Sequence, residues 1–145
     1  MKKILSLTCL MLFTMLSMTS CLTEDEWAEN VLASRSWRVV EVEGWSDYRP
    51  GDEFYFYSDG SFEFVGYGLH DYGRWRVYRN KLQIRFGGSK YDVDLEAPIP
   101  ILDHDYAVLD CYDYMKDAHY RLRLVASHNL DGYGYNNWYT RKQVK

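Results

Sequence analysis

Residues 52–95 read DEFYFYSDGSFEFVGYGLHDYGRWRVYRNKLQIRFGGSKYDVDL, and this stretch decides the fold. Apolar and polar residues alternate through it, interrupted at Asp59-Gly60, Gly66 to Gly73, Arg79-Asn80 and Gly87-Gly88. A period of two, broken by turn residues about every 8–12 positions, predicts an antiparallel β-meander. Parity then sets register. Phe54 and Phe56 share a face, as do Phe62 and Phe64, so both pairs point inward. A two-residue Asp59-Gly60 turn would place Phe56 opposite Glu63. A three-residue loop, Ser58-Asp59-Gly60, instead pairs Phe56 with Phe62 and Phe54 with Phe64, with Gly60 supplying the positive φ of a G1 bulge.

The same reasoning sets Phe64 against Trp75, Val77 against Leu82, Phe86 against Tyr91 and Ile84 against Val93. On the outer face it predicts two attractive pairs, Glu63 with Arg76 and Arg85 with Asp92. It also predicts one repulsive pair, Arg74 with Arg85. Upstream, Trp37 to Glu43 (WRVVEVE) is a first strand, followed by a loop from Gly44 to Gly51. Downstream, Ala97-Pro98-Ile99-Pro100 is expected as a crossing loop, since two prolines remove ladder donors. Strands are expected at Tyr106 to Tyr112 and His119 to Ala126. A last short one, Trp138 to Lys142, would close the sheet. Eight or nine short strands make an all-β domain over residues 36–145, an up-and-down antiparallel barrel or a sandwich. The edge-free barrel is preferred because no disulfide is present to hold the alternative.

The first 20 residues are set apart. Lys2-Lys3 precede an uncharged, mostly apolar run from Ile4 to Met18, then Thr19 and Ser20. The run is shorter than the ~20 residues of a membrane-spanning helix and has the flanks of a signal peptide. Met18-Thr19-Ser20-Cys21 resembles the bacterial lipobox, although Met stands where Leu is usual and Ser precedes the cysteine. That resemblance implies lipidation at Cys21 and an outer-membrane lipoprotein on its periplasmic or surface-exposed side. Each buried methylene of such an anchor contributes ~0.8 kcal/mol, so two or three chains hold a small domain durably. Losing Lys2 and Lys3 takes the formal charge from −4 to −6, which argues against nucleic acid as a partner. With Cys9 in the signal and Cys21 lipidated, Cys111 stands alone and no internal disulfide forms. Stability must come from the core, for which a 47% hydrophobic composition suffices.

In the segment 21–35, Thr23 and Glu26 form a capping box for a short helix from about Glu24 to Ala33, with Trp27 and Val31 on one face. The acidic triplet Glu24-Asp25-Glu26 suits the positive end of that helix. It also resembles the acidic surface-export tag of Bacteroidetes-type lipoproteins.

Beyond the anchor, several motifs together resemble the small lipocalin-like (calycin-type) lipoproteins of Bacteroidetes. They are the strand opening on Trp37, F-x-x-D-G-x-F as Phe56 to Phe62, G-x-W as Gly73 to Trp75, Leu82-x-Ile84, Tyr91-x-Val93-x-Leu95 and Trp138-Tyr139-Thr140-Arg141. In lipocalins the first strand opens with Gly-x-Trp and an arginine of the closing strand packs over that Trp. The resemblance therefore implies that Arg141 lies over Trp37, although Arg35 occupies the glycine position.

Enzyme motifs are missing: there is no Gly-x-Ser-x-Gly, phosphate-binding glycine loop or His-Glu-x-x-His. No catalytic residue, metal or cofactor is expected. Cys111 is read as a buried inert thiol, and Asp103-His104-Asp105 lacks a third metal ligand in register. Asp103, Asp105, Asp110, Asp113 and Asp117 are read as a solvated rim. The aromatic content, 14 Tyr and 5 Trp, exceeds what a core needs. Trp37, Trp75 and Tyr91 fit inward positions, whereas Trp45, Tyr48, Tyr67, Tyr72, Tyr133 and Tyr135 fall in loops. Loop aromatics with a wet end either simply cover the mouth of a small barrel or serve recognition, for which there are two readings. One is a binding protein holding a small apolar or aromatic ligand in the barrel. The other is a surface module contacting glycan or a partner protein. A hollow lumen would favour the first and a filled one the second.

Overall fold

A computed structural model describes residues 22–129. The expected signal peptide, Cys21 and the strand expected at Trp138 to Lys142 lie outside the described residues. Helix α1 (Glu24–Ser34) starts as its sequence predicts. Glu26 N–H donates to Thr23 Oγ1 at 3.2 Å and Thr23 N–H donates to Glu26 Oε2 at 2.8 Å, completing the box. The buried stripe is Ala28, Val31 and Leu32, the i, i+3, i+4 set of one helical face. Trp27 lies off that stripe, 40% exposed, so it does not share the buried face of Val31. The backbone becomes extended at Arg35 and passes straight into the sheet.

Nine strands follow: β1 (Arg35–Gly44), β2 (Glu53–Phe56), β3 (Ser61–Gly66), β4 (Leu69–Tyr78), β5 (Lys81–Phe86), β6 (Leu95–Pro98), β7 (Ile101–Leu102), β8 (Tyr106–Asp113) and β9 (Ala118–Asn129). All pairings are antiparallel. Neighbours in sequence pair in turn, β6 meets β8, and β9 returns to β1. The result is a closed, eight-stranded up-and-down barrel preceded by one short helix. Closure is complete within the described residues, because β1 is flanked by β2 on one edge and β9 on the other. Arg141 lies outside them. Trp37 meets the helix, its indole N–H donating to the Leu32 carbonyl at 2.9 Å.

The β2–β3 hairpin has the predicted register, Phe56 against Phe62 and Phe54 against Phe64. Gly60 has φ +80°, and its N–H donates to the Tyr57 carbonyl at 2.9 Å. Val77 faces Leu82 and Arg74 faces Arg85, also as predicted. Two registers differ. A tight Tyr67-Gly68 turn, with Gly68 at φ +81°, extends β4 back through the expected loop. Phe64 therefore faces Asp71 rather than Trp75, and Glu63 faces Tyr72 rather than Arg76. The slip is four residues, so parity and the inward set survive.

On the other side of β5, Ile84 faces Leu95 rather than Val93, and residues 87–94 form a loop instead of a hairpin. Its cause is Asp94, whose buried carboxylate accepts from Phe86 N–H at 2.7 Å and Ser89 Oγ at 2.5 Å. That capture replaces the ladder, leaves Arg85 and Asp92 unpaired across strands, and turns Tyr91 outward, 51% exposed. Of the expected crossing loop, Ala97-Pro98 instead ends strand β6, and only Ile99-Pro100 is a connection. Pro98, the last residue of β6, is tolerated because β6 and β7 lie along the same edge of β8 with a gap in pairing between Glu96 and Ile101, where a missing donor costs little.

The helix sits against one end of the barrel. Asp25 accepts from the N–H groups of Arg79 (2.8 Å) and Asn80 (2.7 Å), both left-handed in the β4–β5 turn. Glu29 Oε1 accepts from Val77 N–H at 2.9 Å. Two of the acids near the helix start, Asp25 and Glu26, thus have structural partners. Inside, Phe54 lies within 6.1 Å, centroid to centroid, of Phe56, Phe62, Phe64 and Tyr48. Trp37, Trp75, Leu82, Ile84, Leu109 and Leu122 pack around these rings. Aromatic side chains pack along the axis of the barrel from Trp37 to Tyr48.

Candidate functional site at the mouth of the barrel

The end opposite the helix is formed by residues 45–52, the Tyr67-Gly68 turn, the 87–94 loop and the turn between β8 and β9. Of the aromatics expected there, Tyr48 folds inward. Its ring lies 4.9 Å from Phe64 and 5.8 Å from Tyr120, and burial pushes its hydroxyl pKa well above the ordinary value. Tyr48, partly buried, caps the aromatic cluster from the mouth.

Asp52 makes that loop hold its shape. Nearly buried, it accepts from Arg49 N–H at 2.7 Å and from Tyr67 N–H at 3.4 Å, tying the first loop to the β3–β4 turn. Val39 and Gly51 exchange further backbone bonds with the same loop: Val39 N–H donates to the Asp52 carbonyl at 2.8 Å and Gly51 N–H to the Val39 carbonyl at 2.8 Å. Lys116 forms an ion pair with Asp47 from the β8–β9 turn. Held in this way, Trp45 (67% exposed) and Tyr67 (91% exposed) come together with Leu69. They border a cleft of about 300 Å³ whose polar lining is Ser46, Asp47, Arg49 and Asp52.

Tyr72 is elsewhere, outward on β4 and exposed, with its carbonyl accepting Gly87 N–H at 2.6 Å. Tyr133 and Tyr135 lie outside the described residues. The polar members of the cleft were missed in the sequence. The signal available was Asp52, an acid at the head of a strand where alternation puts an inward side chain.

The sequence matches no protein-family model and no curated protein. Among solved structures, one of a DUF4847 family protein from Bacteroides vulgatus ATCC 8482 is similar at 14% identity. It covers 68% of this chain and 96% of that one, with a TM-score of 0.47. That likeness is too loose to carry residue roles across.

Elsewhere the chemistry is quiet. Cys111 is free and buried, and burial raises its thiol pKa far out of the nucleophilic range. Among the described residues no three His, Cys, Asp or Glu side chains converge as metal ligands do. The acidic rim is partly structural: Asp110 pairs with Arg121, and nearly buried Asp113 accepts from Met115 and Lys116 N–H groups. On the outer wall Glu63 is buried against Tyr57, whose hydroxyl donates to it at 3.2 Å, and against His70.

Proposed function

We propose that the protein is a lipid-anchored, non-catalytic binding module of the cell envelope whose ligand is a short saccharide held at the barrel mouth. The observation that carries this reading is the pairing of exposed Trp45 and Tyr67 over a polar-lined cleft. An aromatic face suits the C–H face of a sugar, while Ser46, Asp47 and Arg49 offer a hydroxyl, an acceptor and a donor for its hydroxyls. The aromatic core packed along the axis favours the mouth over the lumen as the site. A volume of about 300 Å³ is at the lower end for small-molecule pockets, which suits one or two sugar rings. Anchor position supports the same reading. Cys21 lies two residues before the Thr23 cap, and α1 sits at the far end of the barrel, so a lipid there directs the cleft away from the membrane.

Two measurements test this. Titration of the full chain against a panel of mono- and disaccharides should give saturable binding that weakens about tenfold in Trp45→Ala or Tyr67→Ala. Tyr72→Ala, outside the cleft, should bind as the parent does. A panel with no binder, or a Trp45→Ala/Tyr67→Ala double variant that binds unchanged, overturns the site. For the anchor, labelled palmitate should enter the parent protein and not Cys21→Ser. A parent that never takes up the label ends the lipoprotein reading.

A further inference from the structure

The outer face of β4 and β5 carries three arginines arranged unlike the others on the sheet. Arg74 and Arg76 are alternate residues of β4, and the register sets Arg85 directly opposite Arg74 with Gln83 opposite Arg76. Directly opposed side chains have Cβ atoms about 5 Å apart, and alternate residues of a strand are about 7 Å apart. The three side chains therefore leave the sheet as neighbours and line one depression. Like charges directly across a ladder cost stability, and this chain, net −4, has carboxylates in excess with which to relieve them.

It does so on the opposite wall. Arg38 pairs with Glu53, Arg121 with Asp110, and Arg123 with Glu41 and Glu43. None of Arg74, Arg76 and Arg85 has a carboxylate within 4 Å among the described residues. Each is oriented by a neutral acceptor instead. Arg74 donates to the Asp59 carbonyl at 3.2 Å, Arg76 to Gln83 Oε1 at 2.8 Å and Arg85 to the Ser89 carbonyl at 3.2 Å. The carboxylate of Asp59 accepts from the N–H and hydroxyl of Ser61 at 2.8 and 2.5 Å, and Arg74 acts on it through space without a direct ion pair. Neutral acceptors fix the guanidinium planes without cancelling their charge, and each plane keeps N–H donors unspent. The three surround a depression of about 490 Å³, with Asp92 as the acid in its lining.

We infer that this face is an oxyanion site for a phosphate or sulfate monoester. Tetrahedral oxyanions accept from several guanidinium forks at once, and binding one converts the Arg74–Arg85 repulsion into shared attraction. The site is separate from the mouth cleft, so Trp45→Ala should leave it intact.

The test titrates the full chain, at fixed ionic strength in chloride, with inorganic phosphate, inorganic sulfate, glucose 6-phosphate and glucose 6-sulfate. Saturable binding is expected, read as shifts of the Arg74–Arg76 and Gln83–Arg85 amide signals. Arg85→Gln and Arg76→Gln should each weaken it about tenfold, while Arg121→Gln, which removes an equal charge on the other wall, should change it less than about twofold. Tighter binding of the esters identifies an anion carried on a sugar, and equal binding of the free ions identifies the ion alone. Either result supports the site. Arg85→Gln should also melt no lower than the parent in chloride and lose the rise in melting temperature that the bound anion gives the parent. Absence of saturation by all four probes up to about 50 mM, or equal weakening by Arg121→Gln, overturns the inference. Were Arg85→Gln not to fold, Arg76→Gln carries the same comparison.

Discussion

Trp37→Ala is expected to destabilise the domain by about 3–5 kcal/mol, the range for deleting a large buried aromatic. Trp37 is fully buried where β1 leaves the helix, and its indole N–H satisfies the Leu32 carbonyl near the end of α1. Truncation leaves a cavity between helix and barrel and strips that carbonyl of its partner, so two penalties fall at one position. Against a total of about 5–15 kcal/mol for a domain of this size, a large part of the stability goes. Urea unfolding followed by far-UV circular dichroism measures it. Trp37→Phe separates the two penalties, since it keeps much of the packing and loses the hydrogen bond, and about 1–2 kcal/mol is expected. A loss under about 1 kcal/mol for the alanine variant would show that the helix is not seated through this residue.

Gly73→Val is expected to do similar damage by the opposite means. A Cβ placed on Gly73 would stand 2.0 Å from the Arg85 carbonyl oxygen and 2.9 Å from the Phe86 Cα. Both obstacles are backbone, so no rotamer change relieves them. The β4 and β5 strands must part where Gly73 pairs with Phe86. Overpacking costs about 1–3 kcal/mol and more when the backbone itself must shift, so the upper end of that range is expected. Urea unfolding gives the loss, and amide exchange should show protection falling along the β4–β5 ladder while β8–β9 is spared. A variant within about 0.5 kcal/mol of the parent would show that the two strands have slack here.

Gly73 also shows where sequence reasoning ran short. The β2–β3 hairpin was legible because Asp59-Gly60 marks the turn and two phenylalanine pairs fix the parity. From Gly66 to Gly73 the same residue type carries two meanings. Gly68 makes a turn, while Gly66 and Gly73 are strand residues crowded by neighbours, Gly66 by Phe64 and Asp52 and Gly73 by Arg85. Composition does not separate a glycine needed for its φ from one needed for its lack of a side chain. The loop at 87–94 was hidden for a related reason. Its alternating Tyr91-x-Val93-x-Leu95 looks like strand, and it gives way to one carboxylate, Asp94, whose bonds lie in the third dimension. The candidate site was half legible. Trp45 and Tyr67 are exposed aromatics in connections, as their context suggests. Tyr48, three residues from Trp45, has the same signature and lies inside, because its direction depends on Asp52 holding the loop closed.

The place of β1 between β2 and β9 has a consequence for how the chain reaches this state. β2 to β5 pair with partners a few residues away, and those contacts can form early. The other edge of β1 waits for residues far along the chain: Gly44 meets Tyr120, and Trp37 meets Ala126. Bringing such distant segments together costs loop entropy before any contact repays it, so docking of the β8–β9 hairpin onto β1 is expected to be the slow step of folding. Until it happens β1 has a bare hydrogen-bonding edge that includes Val39, Val40 and Val42, and another unfinished copy can pair with it. The outward charges of the strand, Arg38, Glu41 and Glu43, which grip Glu53 and Arg123 in the finished barrel, meanwhile act as gatekeepers that slow that wrong pairing.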